Sequence, residues 1–275
     1  MSIFVNVIQW NADPILFQLG PFAVRWYSLL FAAGFLIGYW MFEKIFKQEN
    51  RPAKDLDTLL VYMFLGTVLG ARLGHCLFYD FDYYFRQNPI EIFKVWEGGL
   101  ASHGAVVGIL LAVFIYTRTR PKQTFFWVLD RIGITVALAG SLIRLGNFFN
   151  SEIVGIPTDG SWGVIFQRLG EGFPRVPVQL FESASYFFIF LVLGGIYLVR
   201  WRKLKNGILT SWFFILVFSA RYIIEFWKEG EKITKIMGVD LNRGQVLSIP
   251  VVIMGFIMLW NAFKKQPKQV AGKSK

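Results

Sequence analysis

The stretch FFWVLDRIGITVALAGSLI, Phe125–Ile143, decides the fold. Apart from Asp130 and Arg131 near its start it carries no charge. As a helix it is close to the ~20 residues that cross ~30 Å of hydrocarbon. Helix is also the form in which a lipid-exposed segment satisfies its own backbone. A window of about 19 residues finds further runs of this kind at Val24–Phe46, Leu56–Phe78, Leu100–Tyr116, Val178–Val199, Ile208–Trp227 and Val246–Phe263. The predicted fold is therefore all-α, a polytopic membrane protein of seven transmembrane helices, with residues 1–275 forming a single integral membrane domain.

Composition points the same way. The chain is 55% hydrophobic and 17% charged, with mean hydropathy +0.47, whereas a soluble domain carries roughly 25% charged residues. Its net charge of +11 is distributed by topology. Lys44, Lys47, Arg51 and Lys54 follow the first span, Arg118, Arg120 and Lys122 the third, and Arg200, Arg202, Lys203 and Lys205 the fifth; residues 264–275 form a basic tail. The opposite loops carry fewer basic residues over longer stretches, so the positive-inside rule puts the N-terminus outside and the C-terminus in the cytoplasm. The excess charge then attracts anionic lipid heads. No basic patch alternates with aromatics in a soluble segment, so nucleic acid is not an expected partner. The first 22 residues lack the basic start of a cleavable signal and are expected to lie along the outer interface. The longest loop, Asn147–Pro177, is rich in Gly and Pro and is expected to form a small extracytoplasmic lobe.

Cys76 is the only cysteine and lies in an apolar run, which excludes a disulfide within one chain. His75 and His103 are the only histidines, a poor basis for a zinc or di-iron site. No cofactor and no metal is expected.

Ionisable side chains inside spans are costly and are functional candidates by default. Arg72 accompanies Gly66, Gly70 and Gly74, a stripe of small residues that lets another helix approach closely. Asp130 and Arg131 read as an ion pair at the membrane interface. Glu182 stands at the start of the fifth run. Arg221 and Glu225 are four apart on one helical face and could neutralise each other or serve a site. His103, beside Gly98, Gly99 and Gly104, is either a satisfied polar contact or a base.

The stretch that follows the fourth run is harder to read as packing. LIRLGNFFNSEIVG, Leu142–Gly155, places Arg144, Asn147 and Asn150 at spacings of three, along one side of the helix if the helix persists. An arginine fork flanked by amide donors at headgroup depth suits phosphate oxygens. The alternative is a capping and anchoring cluster. Gly155 with Pro157 is expected to turn the chain.

At these residues the sequence closely resembles the prolipoprotein diacylglyceryl transferase family. RLGNFFNSEIVG looks like its signature, with Arg144, Gly146, Asn147, Asn150, Glu152 and Gly155 in place. WYSLL, GARLG, VWEGGLASHG, PVQLFE, ARYIIEF and GQVLSIP resemble its other blocks in the same order. There are departures: Ile143 stands where a glycine usually precedes the arginine, Ala105 replaces the second glycine after His103, PVQLFE carries Val178 and Phe181, and Val217 replaces a tyrosine.

The resemblance implies a transferase of the bacterial cytoplasmic membrane. Phosphatidylglycerol would donate its diacylglyceryl group to the lipobox cysteine of a prolipoprotein signal peptide, leaving glycerol phosphate. It implies Tyr27, His103, Arg144 and Arg221 as catalytic residues, and Arg144, Asn147, Asn150, Glu152, Gly155 and Glu225 as substrate-binding ones. Arg144 and Asn147 would hold the phosphate, Arg221 would complete the clamp or lower the thiol pKa, His103 would act as base, and Tyr27 as a positioning donor. A transporter with an anion-binding site in the membrane is the competing class, and it would move lipid without cleaving it. A metal-dependent phosphatidyl transferase needs a cluster of carboxylates that the spans do not offer. A retinal-type receptor needs a lysine in the last span, and none lies between Val246 and Phe263.

Overall fold

The computed structural model describes residues 7–20, 22–95, 98–120, 122–230, 232–236 and 239–264. Trp96 and Glu97 of the VWEGGLASHG block, and the basic tail beyond Lys264, lie outside the described residues. Contacts divide the chain into two compact units: Met1–Tyr39 with Asp130–Lys275, and Trp40–Leu129.

Apolar runs become helices α1 (Trp26–Gln48), α2 (Ala53–Phe78), α3 (Ser102–Arg118), α4 (Phe125–Phe149), α5 (Val178–Arg200), α6 (Ile208–Ile224) and α7 (Arg243–Lys264). Among the described residues, six helices are long and apolar enough to cross a membrane, α6 reaching that length through the 3-10 turn Glu225–Trp227 that continues it. Helix α3 is shorter, at 17 residues. The protein is a polytopic membrane protein. It is not all-α, however: β1 (Ile8–Trp10) pairs in parallel with β4 (Val164–Phe166), and β2 (Ile15–Leu19) with β3 (Phe22–Arg25) and β5 (Lys232–Ile236) with β6 (Val239–Asn242) form antiparallel hairpins. Apart from Val24 and Arg25 of β3, these segments lie outside the long apolar runs, and the pairings give their backbone the partners a helix would have supplied.

In the unit Trp40–Leu129, α2 and α3 meet through glycines. A Cβ added to Gly66 would stand 2.6 Å from the Gly108 carbonyl, and one added to Gly74 would stand 2.7 Å from Gly104 Cα. The small-residue stripe is therefore a packing surface, as its spacing suggests. Arg72, buried at the same level, donates to the carbonyls of Glu91, Ile92 (3.0 Å) and Gly98 (2.7 Å). It ties down the connection after α2, where Gly98 and Gly99 adopt positive φ.

In the other unit, the ion pair expected of Asp130 and Arg131 is present and buried, and its carboxylate also serves as a helix cap. Asp130 is fully buried and accepts from Gly207 N (2.8 Å), Thr210 N (2.8 Å) and Thr210 Oγ1 (2.7 Å), with Arg131 Nη1 3.9 Å from Oδ2. A carboxylate at the N-terminus of α6 satisfies donors that have no partner within the helix. Ser141 of α4 donates to the Ser183 carbonyl of α5 at 2.8 Å, joining these helices below the site.

Candidate functional site

Helix α4 ends at Phe149, so Asn150 falls in the closing turn, its amide still bonded to the Gly146 carbonyl at 3.0 Å. Ser151 (φ 54°) and Ile153 (φ 57°) then reverse the chain. The turn expected at Gly155 and Pro157 is thus made earlier. Gly155 is extended and paired with Lys228, and Pro157 with Arg175. Its hydrogen side chain answers to space: a Cβ would stand 2.7 Å from the Trp227 carbonyl oxygen and press on the Val176 carbonyl. Gly146 is similarly crowded, with Tyr27 Cδ2 2.9 Å from where its Cβ would be. Beneath the turn, Phe148, Val164 and Phe166 form a small core with Trp10, Val154 and Leu180 packed against it.

This reversal draws the polar residues together. Glu152 Oε1 accepts from Asn147 Nδ2 (2.7 Å) and Asn150 Nδ2 (3.1 Å), and the Glu152 carbonyl accepts from the fully buried Gln179 (2.8 Å). Asn147, so oriented, presents Oδ1 to Arg144 Nη1 at 3.3 Å. Arg144 Nε lies 3.1 Å from Glu182 Oε2, an ion pair without hydrogen-bond alignment, so that buried oxygen has no donor among the described residues. The other oxygen of Glu182 accepts from Lys228 Nζ at 3.0 Å, and Lys228 in turn lies 3.4 Å from Glu225 Oε2. Arg175 closes the floor by donating to the Gly155 carbonyl at 3.0 Å.

The neutralisation of Arg221 by Glu225 does not occur. Glu225 still closes an α-helical bond from its amide to the Arg221 carbonyl, but its carboxylate is directed to Lys228, which the following 3-10 turn brings within 3.4 Å, and packs over Gly244, where a Cβ would stand 2.5 Å from Glu225 Cδ. Arg221 is left half-buried, with no hydrogen bond or ion pair among the described residues. Next to Arg221 in sequence, Tyr222 and Ile223 line an apolar cavity of about 320 Å³ between α6 and α7, closed by Ile249, Val252 and Ile253.

Tyr27, Arg144, Asn147, Asn150, Glu152, Gly155, Arg221 and Glu225 thus belong to one unit. His103 belongs to the other, where it is exposed in the first turn of α3 with its ring 5.1 Å from that of Phe78 and 6.0 Å from that of Tyr79. Lys228 and Gln179 are members of the network that the sequence reading does not single out. Lys228 reads as a loop charge and Gln179 as one polar residue in an apolar helix start.

The prolipoprotein diacylglyceryl transferase family model matches residues 14–261. This chain belongs to that family. It is 51% identical over 263 residues to a phosphatidylglycerol–prolipoprotein diacylglyceryl transferase of Tolumonas auensis, covering 95% of this chain and 100% of that protein. Identity to the protein of the same name from Chloroherpeton thalassium is 48% over 94% of this chain and 96% of the relative. For that of Porphyromonas gingivalis it is 40%, over 94% and 95%. The polar network from Arg144 to Lys228 falls within the matched residues.

Proposed function

We propose that the protein transfers the diacylglyceryl group of phosphatidylglycerol to the lipobox cysteine thiol of a prolipoprotein. The sulfur forms a bond to the glyceryl carbon, the carbon–oxygen bond to phosphate breaks, glycerol phosphate leaves with the electron pair, and the thiol gives its proton to a base. The family supports the reaction through its relatives' names. The observation that carries the site is Arg221, a half-buried guanidinium in an apolar span with no hydrogen bond or ion pair among the described residues.

Two difficulties govern the chemistry. The thiol is only a few per cent ionised at neutral pH, and the leaving phosphate gains charge. Arg144 and Arg221 answer the second, because fixed cations aimed at developing charge lower the barrier without reorganising. Asn147, held by Glu152, orients Arg144; Asn150 and Gly155 maintain that turn. Glu225 with Glu182 and Lys228 balances the charge behind it. His103 is the base to which the family resemblance points, and Tyr27 the positioning donor. The apolar cavity between α6 and α7 suits an acyl chain.

In this reading residues 1–275 act as one membrane domain of seven spans. The loop 147–177 forms an extracytoplasmic lobe, residues 264–275 a cytoplasmic tail, and the N-terminus lies outside in a bacterial cytoplasmic membrane. The experiment is incubation of purified protein with phosphatidylglycerol and a lipobox peptide, scoring thioether product and glycerol phosphate by mass. Arg221→Ala breaks no ion pair and should fold normally yet yield no product. A folded, active Arg221→Ala would overturn the site, and lipid movement without glycerol phosphate would favour a transporter.

A further inference from the structure

A second cationic cavity lies wholly within the unit Trp40–Leu129, where the α1–α2 and α3–α4 connections come together. It measures about 450 Å³ and precedes the first turn of α4, whereas Arg144 sits in that helix's last turns. Arg51, Arg120 and Lys122 supply three positive charges to its wall, against one negative charge from Asp55.

That carboxylate is already occupied. Asp55 Oδ2 accepts from Gln123 Nε2 at 2.7 Å and Oδ1 from Arg120 Nε at 3.2 Å, while Gln123 Oε1 takes the Tyr116 hydroxyl at 2.6 Å. Arg120 also donates to Thr119 Oγ1 and lies over the Tyr116 ring, so it is a fixed part of the wall. Glu49, the other nearby acid, accepts Trp127 Nε1 at 2.7 Å. Arg51 is different. Its guanidinium carbon lies over the Trp127 ring, 4.9 Å from the centroid, and the group makes no hydrogen bond or ion pair among the described residues; its Nε is buried without an acceptor. Lys122 is exposed and likewise has no ion-pair partner among the described residues. A cation–π contact restrains the guanidinium without using any of its N–H donors. A buried donor without an acceptor costs free energy that a ligand oxygen would recover.

We propose that this cavity binds a phosphate-bearing anion, Arg51 taking two of its oxygens in a fork and Lys122 neutralising the remaining charge. The helix ends that frame it place it at headgroup depth, where basic pockets between transmembrane helices take anionic lipid heads. A lipid phosphate and a free phosphate offer the same oxygens, so the test separates them.

Native mass spectrometry of the full-length protein, titrated with phosphatidic acid against a phosphatidylcholine control, would compare wild type with an Arg51→Gln, Lys122→Gln double variant. The variant should retain its unliganded Tm and its transferase activity, and lose bound phosphatidic acid by about tenfold or more, the worth of one charge-assisted hydrogen bond. Added inorganic phosphate that displaces the lipid from wild type assigns recognition to the phosphate group alone. Retention of the lipid assigns it to a head group presented by the membrane. Should the double variant fold poorly, Lys122→Glu on its exposed side chain carries the comparison and should lower binding in the same direction. Equal phosphatidic acid binding by wild type and the folded variant overturns the proposal.

Discussion

Glu182 holds Arg144 and Lys228 at once, with Arg144 Nε 3.1 Å from one carboxylate oxygen and Lys228 Nζ 3.0 Å from the other. Glu182 is fully buried and Lys228 nearly so; Lys228 also reaches Glu225 Oε2 at 3.4 Å, whereas Glu182 is the carboxylate on which Arg144 depends. Glu182→Gln keeps the shape and removes the charge. Leaving a buried cation without its partner costs about 3–5 kcal/mol. The expected outcome is a large fall in Tm by thermal denaturation in detergent. An unchanged Tm would show that the network is not held by charge.

Gly155→Ala tests the lobe rather than the charges. The new methyl would meet the backbone oxygens of Val176 and Trp227, neither of which can rotate away. Overpacking of this kind costs about 1–3 kcal/mol. Faster proteolysis within residues 150–177, with the helices intact by circular dichroism, is the expected signature.

Helices were legible in the sequence because lipid demands long apolar runs, and each run became one helix within a few residues. The cluster Arg144–Asn147–Glu152 was legible because polar residues at the end of such a run are rare enough to stand out. Three features were not. The Arg221–Glu225 spacing misleads because a nearer competitor, Lys228, takes the carboxylate although the α-helical bond between the two residues is kept. Lys228 follows the span and is indistinguishable from a topology charge until the turn folds it back onto Glu182. The β1–β4 ladder joins segments more than a hundred residues apart, and three-residue strands carry no period to read.

The lobe should also respond to acid. Its Arg175 donates to both oxygens of Glu171, and those hydrogen bonds hold the Glu171 carboxyl below its ordinary value of 4.5; Asp159, bonded by Ser161, is lowered too. A carboxylate whose pKa is depressed on folding stabilises fully above its unfolded value, and that contribution is lost as pH falls through the folded value. Trp162 fluorescence should therefore be flat from neutral pH down to about the ordinary carboxylate range and change below it. Glu171→Gln should remove part of that transition, and an identical curve would assign it elsewhere.

Cys76 is buried and free. Since the attacking sulfur belongs to the peptide substrate, Cys76→Ser should leave thioether formation within about twofold of wild type, an effect far smaller than the loss of an activated nucleophile. Abolished turnover in a folded Cys76→Ser protein would place the nucleophile on the enzyme and end the direct-transfer scheme.

Arg144→Lys separates charge from geometry. Lysine keeps a cation facing Glu182 but lacks the planar fork, so it loses the 3.3 Å bond to Asn147 and the second arm offered to phosphate. With one oriented donor lost from the developing anion, kcat should fall by about 100-fold or more while Tm changes little. Asn147 acts by aiming Arg144, and Glu152 by aiming Asn147, through the 2.7 Å bond between them. Asn147→Ala should therefore be costly in the wild type and nearly silent in the Arg144→Lys background, a coupling that a double-mutant cycle on kcat/KM reads directly. Additive losses would mean that Asn147 touches substrate on its own account, and the chain of orientation from Glu152 to Arg144 would have to be abandoned.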